Sequence, residues 1–313
     1  MHHSETLLKV LAANPHLKTF VIMDVVSNVV KSALETVTSS AQVMNSLRCS
    51  VEDMALVTPF LRKFKHSLTM LDVALSINLP AFSQESIAAL HQLKQLKELT
   101  INYHPDFDFM QFPVLKTLKL AGNTLNLHLQ HDSLLEVNLA RCNVIFATIL
   151  CPNLQHLTCN QQLVKLILVS DKLHSIDCGA SPNLQSINIT SPILYSLPIS
   201  RSNSIQQAVL NCPILTHVSC ETSRLPLIVQ AAPNLRQLSM SSSVVHFTLE
   251  MLRNLQKLEK LVILQMSSAI IRFSKDLIDE LQKEEEDNGN KRRFKNLSQF
   301  NTKAYDTRAF FVK

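Results

Sequence analysis

The chain has 313 residues, a formal net charge of +5 and a hydrophobic fraction of 46%, values that are typical of a globular protein. It contains only three glycines and no tryptophan. Phosphate-binding loops need several glycines where the backbone approaches the ligand, so the composition argues against nucleotide-dependent enzymes and we expect no cofactor. The charge is modest and no segment is strongly basic, so we expect no nucleic-acid partner.

The N-terminus and the cysteines indicate an intracellular protein. The first residues lack the basic region of a signal peptide, and no apolar run approaches the ~20 residues of a membrane helix. The seven cysteines are an odd number without a CxxC pair, which argues against a disulfide framework. We therefore expect a cytoplasmic protein without membrane attachment, with the nucleus as the alternative location.

Residues 1–110 alternate short apolar strands with amphipathic helical patterns. Copies of the pattern Leu-x-x-Leu-x-Leu open at Leu17, Leu68 and Leu96. Between and around them, apolar residues recur at the i, i+3, i+4 spacing of helices at 5–13, 26–37, 51–64 and 83–93. Ser83 is a suitable helix start. This part predicts long repeats with a strand on one side and a helix on the other.

Residues 111–264 carry a shorter and more regular repeat. The template Leu-x-x-Leu-x-Leu-x-x-(Asn/Cys)-x-Leu recurs every 19 to 21 residues, and its copies open at Leu115, Leu134, Leu154, Leu173, Leu194, Leu215 and Leu235. A proline stands two residues before most of these leucines, where an approach loop tolerates the loss of a backbone donor. Such self-similarity at a fixed period is the sequence signature of leucine-rich repeats.

The template has a direct physical reading. Its middle leucines alternate with polar residues, as in a short strand with one buried face, and stacked coils would bury these leucines against each other as one spine. The polar position lies where the chain turns away from the strand, so we expect its side chain to bond backbone groups there. Its occupants are Asn123, Cys142, Ser223 and Ser243. Cys142 is thus interpreted as structural, since free cysteines behave as small buried hydrophobes.

Half-step copies of the pattern lie between the main openings, at Leu163, Leu184, Ile205 and Leu225. A coil of about 20 residues leaves little room for a helix on its return path. We therefore predict an extended return segment that forms a second, weaker strand in each coil.

The repeat is predicted to end near Leu264. Residues 273–287 read as an amphipathic helix that caps the last coil, and residues 288–313 read as a charged, flexible tail. The predicted fold is therefore an α/β leucine-rich-repeat solenoid over residues 1–272. It has a curved parallel sheet on the concave side, convex helices in the N-terminal third, and mostly extended return segments from about residue 110 on.

Four phrases suggest a more particular resemblance. CPNLQHLTC, SPNLQSINI, CPILTHVSC and APNLRQLSM begin at Cys151, Ser181, Cys212 and Ala232. They resemble the repeats that follow the F-box in many eukaryotic F-box proteins, over about residues 96–264. The resemblance implies a substrate-recognition role in cullin-based ubiquitin ligases. The F-box itself has no counterpart in this chain, so that role would require an F-box that is missing here.

Residues with catalytic or metal-binding chemistry form no convincing constellation. His128 and His131 are the closest histidine pair, but no carboxylate or cysteine completes a ligand set at a known spacing, so we interpret them as surface-loop histidines and expect no metal. No nucleophile elbow or oxyanion motif accompanies the many serines. We therefore predict a protein that is not an enzyme.

The functional surface should be the side chains that point outward between the buried leucines. We predict a scaffold that binds another protein on this concave face, with the chain itself a monomer; the alternative is the recognition part of an F-box-type adaptor. The candidate partner-binding residues occupy the outward template positions or flank them: Glu98, Tyr103, Lys119, Glu136, Arg141, His156, Asp177, Tyr195, Arg201, His217 and Gln237.

Overall fold

The computed structural model describes residues 2–23, 27–75, 82–178, 181–200, 202, 204–258, 260–261, 263–273, 276 and 299–304. The chain divides into two compact units. Unit 1 consists of Met1–Val144 and Leu150–Leu154, and unit 2 consists of Ile145–Ile149 and Gln155–Lys313.

Unit 1 begins with helices that alternate with short strands and ends with two long strands. Its elements are α1 (His2–Ala12), β1 (Thr19–Ile22), α2 (Ser27–Ser40), β2 (Ser46–Val51), α3 (Thr58–Lys63), β3 (Met70–Leu75), α4 (Gln84–His91), β4 (Glu98–Asn102), β5 (Thr117–Gln130) and most of β6 (Glu136–Leu150). Short 3₁₀ turns lie at Met54–Leu56 and Phe109–Gln111. The helices fall within the N-terminal third, as the sequence predicts. Ser83 caps α4, since its hydroxyl accepts a hydrogen bond from the backbone N–H of Ser86.

The strands of unit 1 form a parallel ladder whose inner row is a continuous apolar spine. The register aligns Phe20, Leu47, Leu71, Leu99 and Leu118 on successive strands, and all five side chains are buried. Parallel strands need a crossover between them, and the helices and loops of each coil supply it. The predicted hydrophobic spine is therefore confirmed for this unit.

The structure contains one coil that the sequence reading missed. The coil that contains β2 opens at Met44, where methionine stands in place of the first leucine of the template, and Leu47, Cys49 and Val51 are buried on the strand itself. The predicted helix at 51–64 is correspondingly shorter. Val51 ends β2, and α3 starts only at Thr58.

Unit 2 contains two strands per coil in the coils that open at Leu154, Leu173 and Leu194. Its elements after the last part of β6 are β7 (His156–Thr158), β8 (Lys165–Val169), β9 (Ser175–Asp177), β10 (Ser186–Thr190), β11 (Ser196–Pro198), β12 (Gln207–Asn211), β13 (His217–Glu221), α5 (Leu225–Ala231), β14 (Gln237–Phe247), α6 (Leu249–Gln256), β15 (Ile263–Phe273) and β16 (Gln299–Ala304). We call β7, β9, β11, β13, β14, β15 and β16 the first strands, and β8, β10 and β12 the second strands.

The second strands confirm the predicted extended return path. β8, β10 and β12 pair in parallel. β8 buries Leu166 and Leu168 and β10 buries Ile187 and Ile189, whereas the aligned residues of β12 are half-buried. The first strands form their own rows, which align Leu157 with Ile176, and Leu197 with Val218 and Leu238. A coil of about 20 residues therefore holds two strands in this part of the unit.

Extended return segments do not continue to the end of the repeats, as the prediction had them. α5 and α6 replace the second strand in the coils that follow β13 and β14. Pro226 occupies the first turn of α5, where its missing N–H has no cost, and Leu225, Ile228 and Val229 bury one helical face. The half-step copy at Leu225 is therefore a helix, because its apolar residues have the i, i+3, i+4 spacing of a helical face.

The C-terminal end of the repeats differs from the prediction. Leu264 is paired with Leu238 in register, and β16 then adds a further parallel strand beside β15. The ladder therefore extends past Leu264 and into the stretch 288–313 that was predicted as a tail. Phe273 ends β15, and apart from Phe273 and Asp276 the predicted capping helix at 273–287 lies outside the described residues.

Buried polar side chains at the corners connect each coil to the one before it. In unit 2, the Ser181 hydroxyl donates to the Asn160 carbonyl at 2.6 Å and the Ser202 hydroxyl donates to the Ser181 carbonyl at 3.0 Å. At another corner the Cys212 thiol faces the Ile189 carbonyl at 3.7 Å. We call this row the corner ladder, and it satisfies carbonyls that the turning backbone would otherwise leave unpaired.

Two residues at the template's polar position, Asn123 and Ser223, make contacts that differ from the predicted ones. β5 continues past Asn123, and the bend falls at Gly122, whose φ of 90° lies in the left-handed region that suits glycine. Asn123 accepts a hydrogen bond from the side chain of Asn143 at 2.6 Å, and the Ser223 hydroxyl donates to the carboxylate of Glu221. Asn123 and Ser223 therefore bond other side chains, and the corner ladder bonds backbone carbonyls at the corners.

Candidate functional site

We call the outward side chains of β1 to β6 in unit 1, and those of the first strands in unit 2, the first-strand face of each unit, and we describe each unit separately. In unit 1, Glu98 lies on β4 beside Thr117 of β5, and Lys119 lies beside Thr100. Glu136 starts β6. Glu98 and Lys119 are exposed and Glu136 is half-buried, so all three have the outward orientation that period-two alternation predicts.

Tyr103 and Arg141 flank these strands. Tyr103 follows β4, and its backbone N–H donates to the Ala121 carbonyl at 2.8 Å. Partial burial raises the pKa of its phenol. Arg141 is exposed in the middle of β6. Tyr103 is therefore partly a structural side chain, whereas Arg141 is open to solvent.

An ion pair on the face of unit 1 was not anticipated from the sequence. The Arg48 guanidinium contacts the Asp72 carboxylate at 2.7 Å, and β2 and β3 hold these residues directly opposite each other. Both occupy the fifth template position of their coils. The coil that opens at Met44 supplies Arg48, so recognition of that coil would have revealed the pair.

In unit 2, four candidate residues lie on the first strands. His156, Asp177, His217 and Gln237 occupy β7, β9, β13 and β14, where His217 and Gln237 are directly paired. The Nδ1 atom of His156 lies 2.7 Å from the Ser175 hydroxyl on the next first strand. Arg201 lies outside the described residues.

Tyr195 and His217 are the two candidate residues that the described structure brings into ring contact. Tyr195 precedes β11 and is 53% exposed. Its ring meets that of His217 edge to face at a centroid distance of 6.1 Å, while its carbonyl accepts hydrogen bonds from the Thr216 and His217 backbone N–H groups. The Thr216 hydroxyl in turn lies 2.8 Å from Nδ1 of His217. The backbone therefore fixes an exposed aromatic side chain on this face.

His174 belongs to the same surface, although the sequence reading did not select it. Its ring lies 6.5 Å from that of His156, and its Nδ1 atom lies 2.7 Å from the Lys172 carbonyl. His174 occupies the second template position, as Tyr195 does. Of these two residues, only Tyr195 is among the candidates predicted from the sequence.

The predicted surface location of His131 is wrong. This side chain is 2% exposed, with Nε2 lying 3.1 Å from the Phe112 carbonyl and Nδ1 accepting from the Ser133 backbone N–H. A donor on Nε2 and an acceptor on Nδ1 correspond to neutral imidazole. Burial lowers the pKa of His131, so the residue has a structural role at a corner while His128 is exposed.

Six of the seven cysteines have a raised pKa and therefore little thiolate character. All seven are free and buried, and burial raises the pKa of Cys142 to about 11 and those of Cys151 and Cys220 to about 12. A thiolate is the reactive form of cysteine, so these groups are poor nucleophiles. In the part of the chain that the structure describes, no three His, Cys, Asp or Glu side chains gather as a metal site requires.

None of the described helices has both the length and the apolarity that crossing a bilayer demands. No protein-family model matches the chain, and no curated protein matches it either. The resemblance to F-box-associated repeats therefore stays a prediction.

Among solved structures, the chain is similar to an internalin (inlF) from Listeria monocytogenes str. 4b F2365, with 13% identity and a TM-score of 0.38, over 97% of this chain and 95% of that one. It is also similar to a functional domain of InlJ from Listeria monocytogenes that includes a cysteine ladder, with 12% identity and a TM-score of 0.26, over 85% of this chain and 70% of that one. At these scores neither likeness carries an inference. Register, spine and template together define a leucine-rich-repeat fold.

Proposed function

We propose that this chain is a non-catalytic scaffold that binds another protein on its first-strand face. The observation that carries the proposal is the exposed Tyr195 ring, which the backbone of β11 and β13 holds against His217. Tyrosine is among the side chains that contribute most to protein interfaces, because it offers a large apolar ring and a polar tip at little entropic cost.

The arrangement of the strands supports the same proposal. Successive first strands place equivalent side chains ~4.8 Å apart, so a row of outward positions offers a regular surface to a partner. Buried thiols with raised pKa values supply no nucleophile for covalent catalysis. We also place the protein in a reducing compartment such as the cytoplasm or the nucleus, because its seven cysteines are free.

The test compares partner capture by the full chain and two double variants. Tyr195→Ala with His217→Ala removes the ring pair from the first-strand face. Val169→Ala with Val209→Ala removes two exposed side chains from the second strands and serves as the matched control. Captured proteins are quantified by mass spectrometry, and each variant is first checked for an unchanged circular dichroism spectrum.

We expect at least one specifically captured protein to fall more than tenfold with the ring-pair variant and less than twofold with the control. Equal recovery with all three proteins would show that binding, if it occurs, uses another surface. A larger loss with the control would move the site to the second strands.

A further inference from the structure

We infer that the first-strand face of unit 2 binds an acidic, extended peptide segment of its partner protein. The inference rests on the proposed function and adds to it the chemical class of the partner. The surface consists of the second and third template positions of the five coils that open at Leu154, Leu173, Leu194, Leu215 and Leu235. All ten positions belong to unit 2 and are described by the structure.

These coils lie side by side. β7 pairs with β9, β11 pairs with β13, and β13 pairs with β14, each in parallel register. β11 also lies next to β9. The ten side chains therefore form one surface across five coils, and we call it the donor strip.

The donor strip has no acidic side chain. Its one permanently charged residue is Arg236, and its other members are histidine, tyrosine, serine, threonine or glutamine. The same template positions in unit 1 include Glu98 and Glu136. The first strands of these coils carry two carboxylates outside the strip, that of Asp177 at the fifth template position and that of Glu221 at the seventh, and Asp171 is followed directly by Lys172. A basic ligand would thus find no pairing group in the strip, whereas an acidic ligand would find several.

Four members of the donor strip have a donor group without a partner among the described residues. They are the Tyr195 hydroxyl, the Arg236 guanidinium and the Nε2 atoms of His156 and His217. The two imidazoles engage Ser175 and Thr216 only through Nδ1. When each hydroxyl donates to Nδ1, the neutral ring carries its proton on Nε2 and can donate outward.

We assign Ser175 and Thr216 as positioning residues, because each hydroxyl holds Nδ1 of its histidine and leaves Nε2 free to face a ligand. When the hydroxyl donates, Nε2 is the outward donor of the neutral ring. His174 differs, since its Nδ1 faces a carbonyl and must donate to it, which leaves Nε2 as an acceptor in the neutral ring. The geometry thus assigns anion recognition at neutral pH to His156, Tyr195, His217 and Arg236.

The dimensions indicate how the segment lies. Five coils at ~4.8 Å spacing span about 19 Å, which corresponds to about six residues of extended chain at ~3.3 Å each. A single arginine among neutral donors suits a few carboxylates better than a polyphosphate backbone, whose binding depends on neutralising many charges. We therefore favour a peptide over nucleic acid.

The test measures fluorescence anisotropy of labelled twelve-residue peptides with the full chain at pH 7.0 and 50 mM salt. The probes alternate serine with glutamate, glutamine or lysine. We expect the glutamate peptide to bind at least tenfold more tightly than the glutamine peptide, and its binding to weaken severalfold at 500 mM salt. The lysine peptide should not bind measurably.

Charge variants locate the site. Arg236→Glu with His217→Glu should weaken binding of the glutamate peptide more than tenfold. Lys165→Glu with Gln207→Glu makes the same change in net charge on the exposed side of β8 and β12, and it should change binding less than twofold. Ser175→Ala with Thr216→Val should weaken glutamate-peptide binding several-fold at pH 7.0 and leave the fold intact.

Three results would overturn the inference: no binding of the glutamate peptide, equal binding of the glutamine or lysine peptide, or an equal loss in both charge variants. Tighter binding of a twelve-nucleotide oligouridylate would assign the strip to nucleic acid instead. The capture assay decides the proposed function independently of the peptide assay. That proposal fails when the double variant Tyr195→Ala with His217→Ala captures every partner as well as the unchanged chain does.

Discussion

Replacement of Leu166 by alanine tests whether the coils share one apolar interior. Leu166 is fully buried in β8, where it is paired in register with Ile187 of β10. Ala208 stands in the same row on β12. Because alanine occurs naturally in this row, the substitution should leave the backbone intact and remove only packing.

The expected cost follows from the size of the side chain. Leu166→Ala removes three carbon atoms from the apolar interior, which lowers the free energy of unfolding by about 2.5 kcal/mol at ~0.8 kcal/mol for each carbon. Coils held by neighbours on both sides cannot collapse fully onto the space, so the cavity raises the loss in free energy of unfolding to about 4 kcal/mol. The measurement is urea denaturation followed by far-ultraviolet circular dichroism.

Lys165→Ala, on the same strand and exposed, is the matched control and should cost less than about 0.5 kcal/mol. If Leu166→Ala costs no more than this control, the buried rows do not hold the coils together and the reasoning fails. A lower m value in the variant would show that groups of coils unfold separately, as nearest-neighbour coupling permits.

Three further predictions concern buried polar groups. Ser191 has a hydroxyl without a partner among the described residues, whereas Cys212 fills the equivalent corner one coil later. Ser191→Cys should therefore raise the free energy of unfolding by about 1 kcal/mol in urea titrations. No gain would mean that the Ser191 hydroxyl is satisfied. Burial lowers the pKa of His131, so the unfolded chain binds the proton first and stability should fall as the pH drops below about 6.5. His131→Gln should flatten that dependence between pH 7.5 and 5.0, and an unchanged slope would contradict it. Burial also raises the pKa of Cys49 to about 12, and Ellman's reagent at pH 8 should therefore detect less than one thiol in the folded chain and seven in urea.

Much of the fold follows from local pattern. Period-two burial identifies a strand without knowledge of its neighbours, which is why Leu118, Leu157 and Leu197 were assigned correctly to inner rows. The template does not predict the coil at Met44, because methionine packs in a leucine site but does not match the leucine that the template requires. α5 was missed because Leu225, Ile228 and Val229 satisfy helical spacing within a stretch too short for periodicity to discriminate.

Contacts between coils could not be derived from the sequence in the same way. The alternation predicts that Tyr195 and His217 point outward, but their ring contact depends on the register between β11 and β13. His131 shows the converse case. Its sequence neighbours are polar, and only the corner that brings the Phe112 carbonyl within 3.1 Å makes it a buried group.

The corner ladder has a consequence for how such a chain changes its length in evolution. Ser181 and Ser202 are 21 residues apart, and each hydroxyl reaches the carbonyl one coil earlier. Duplication or deletion of a stretch of that length by recombination would restore the same donor–acceptor match at the new junction. Insertion of a few residues would instead shift a hydroxyl away from its carbonyl. Selection should therefore tolerate the gain or loss of a whole coil and reject the gain or loss of part of a coil.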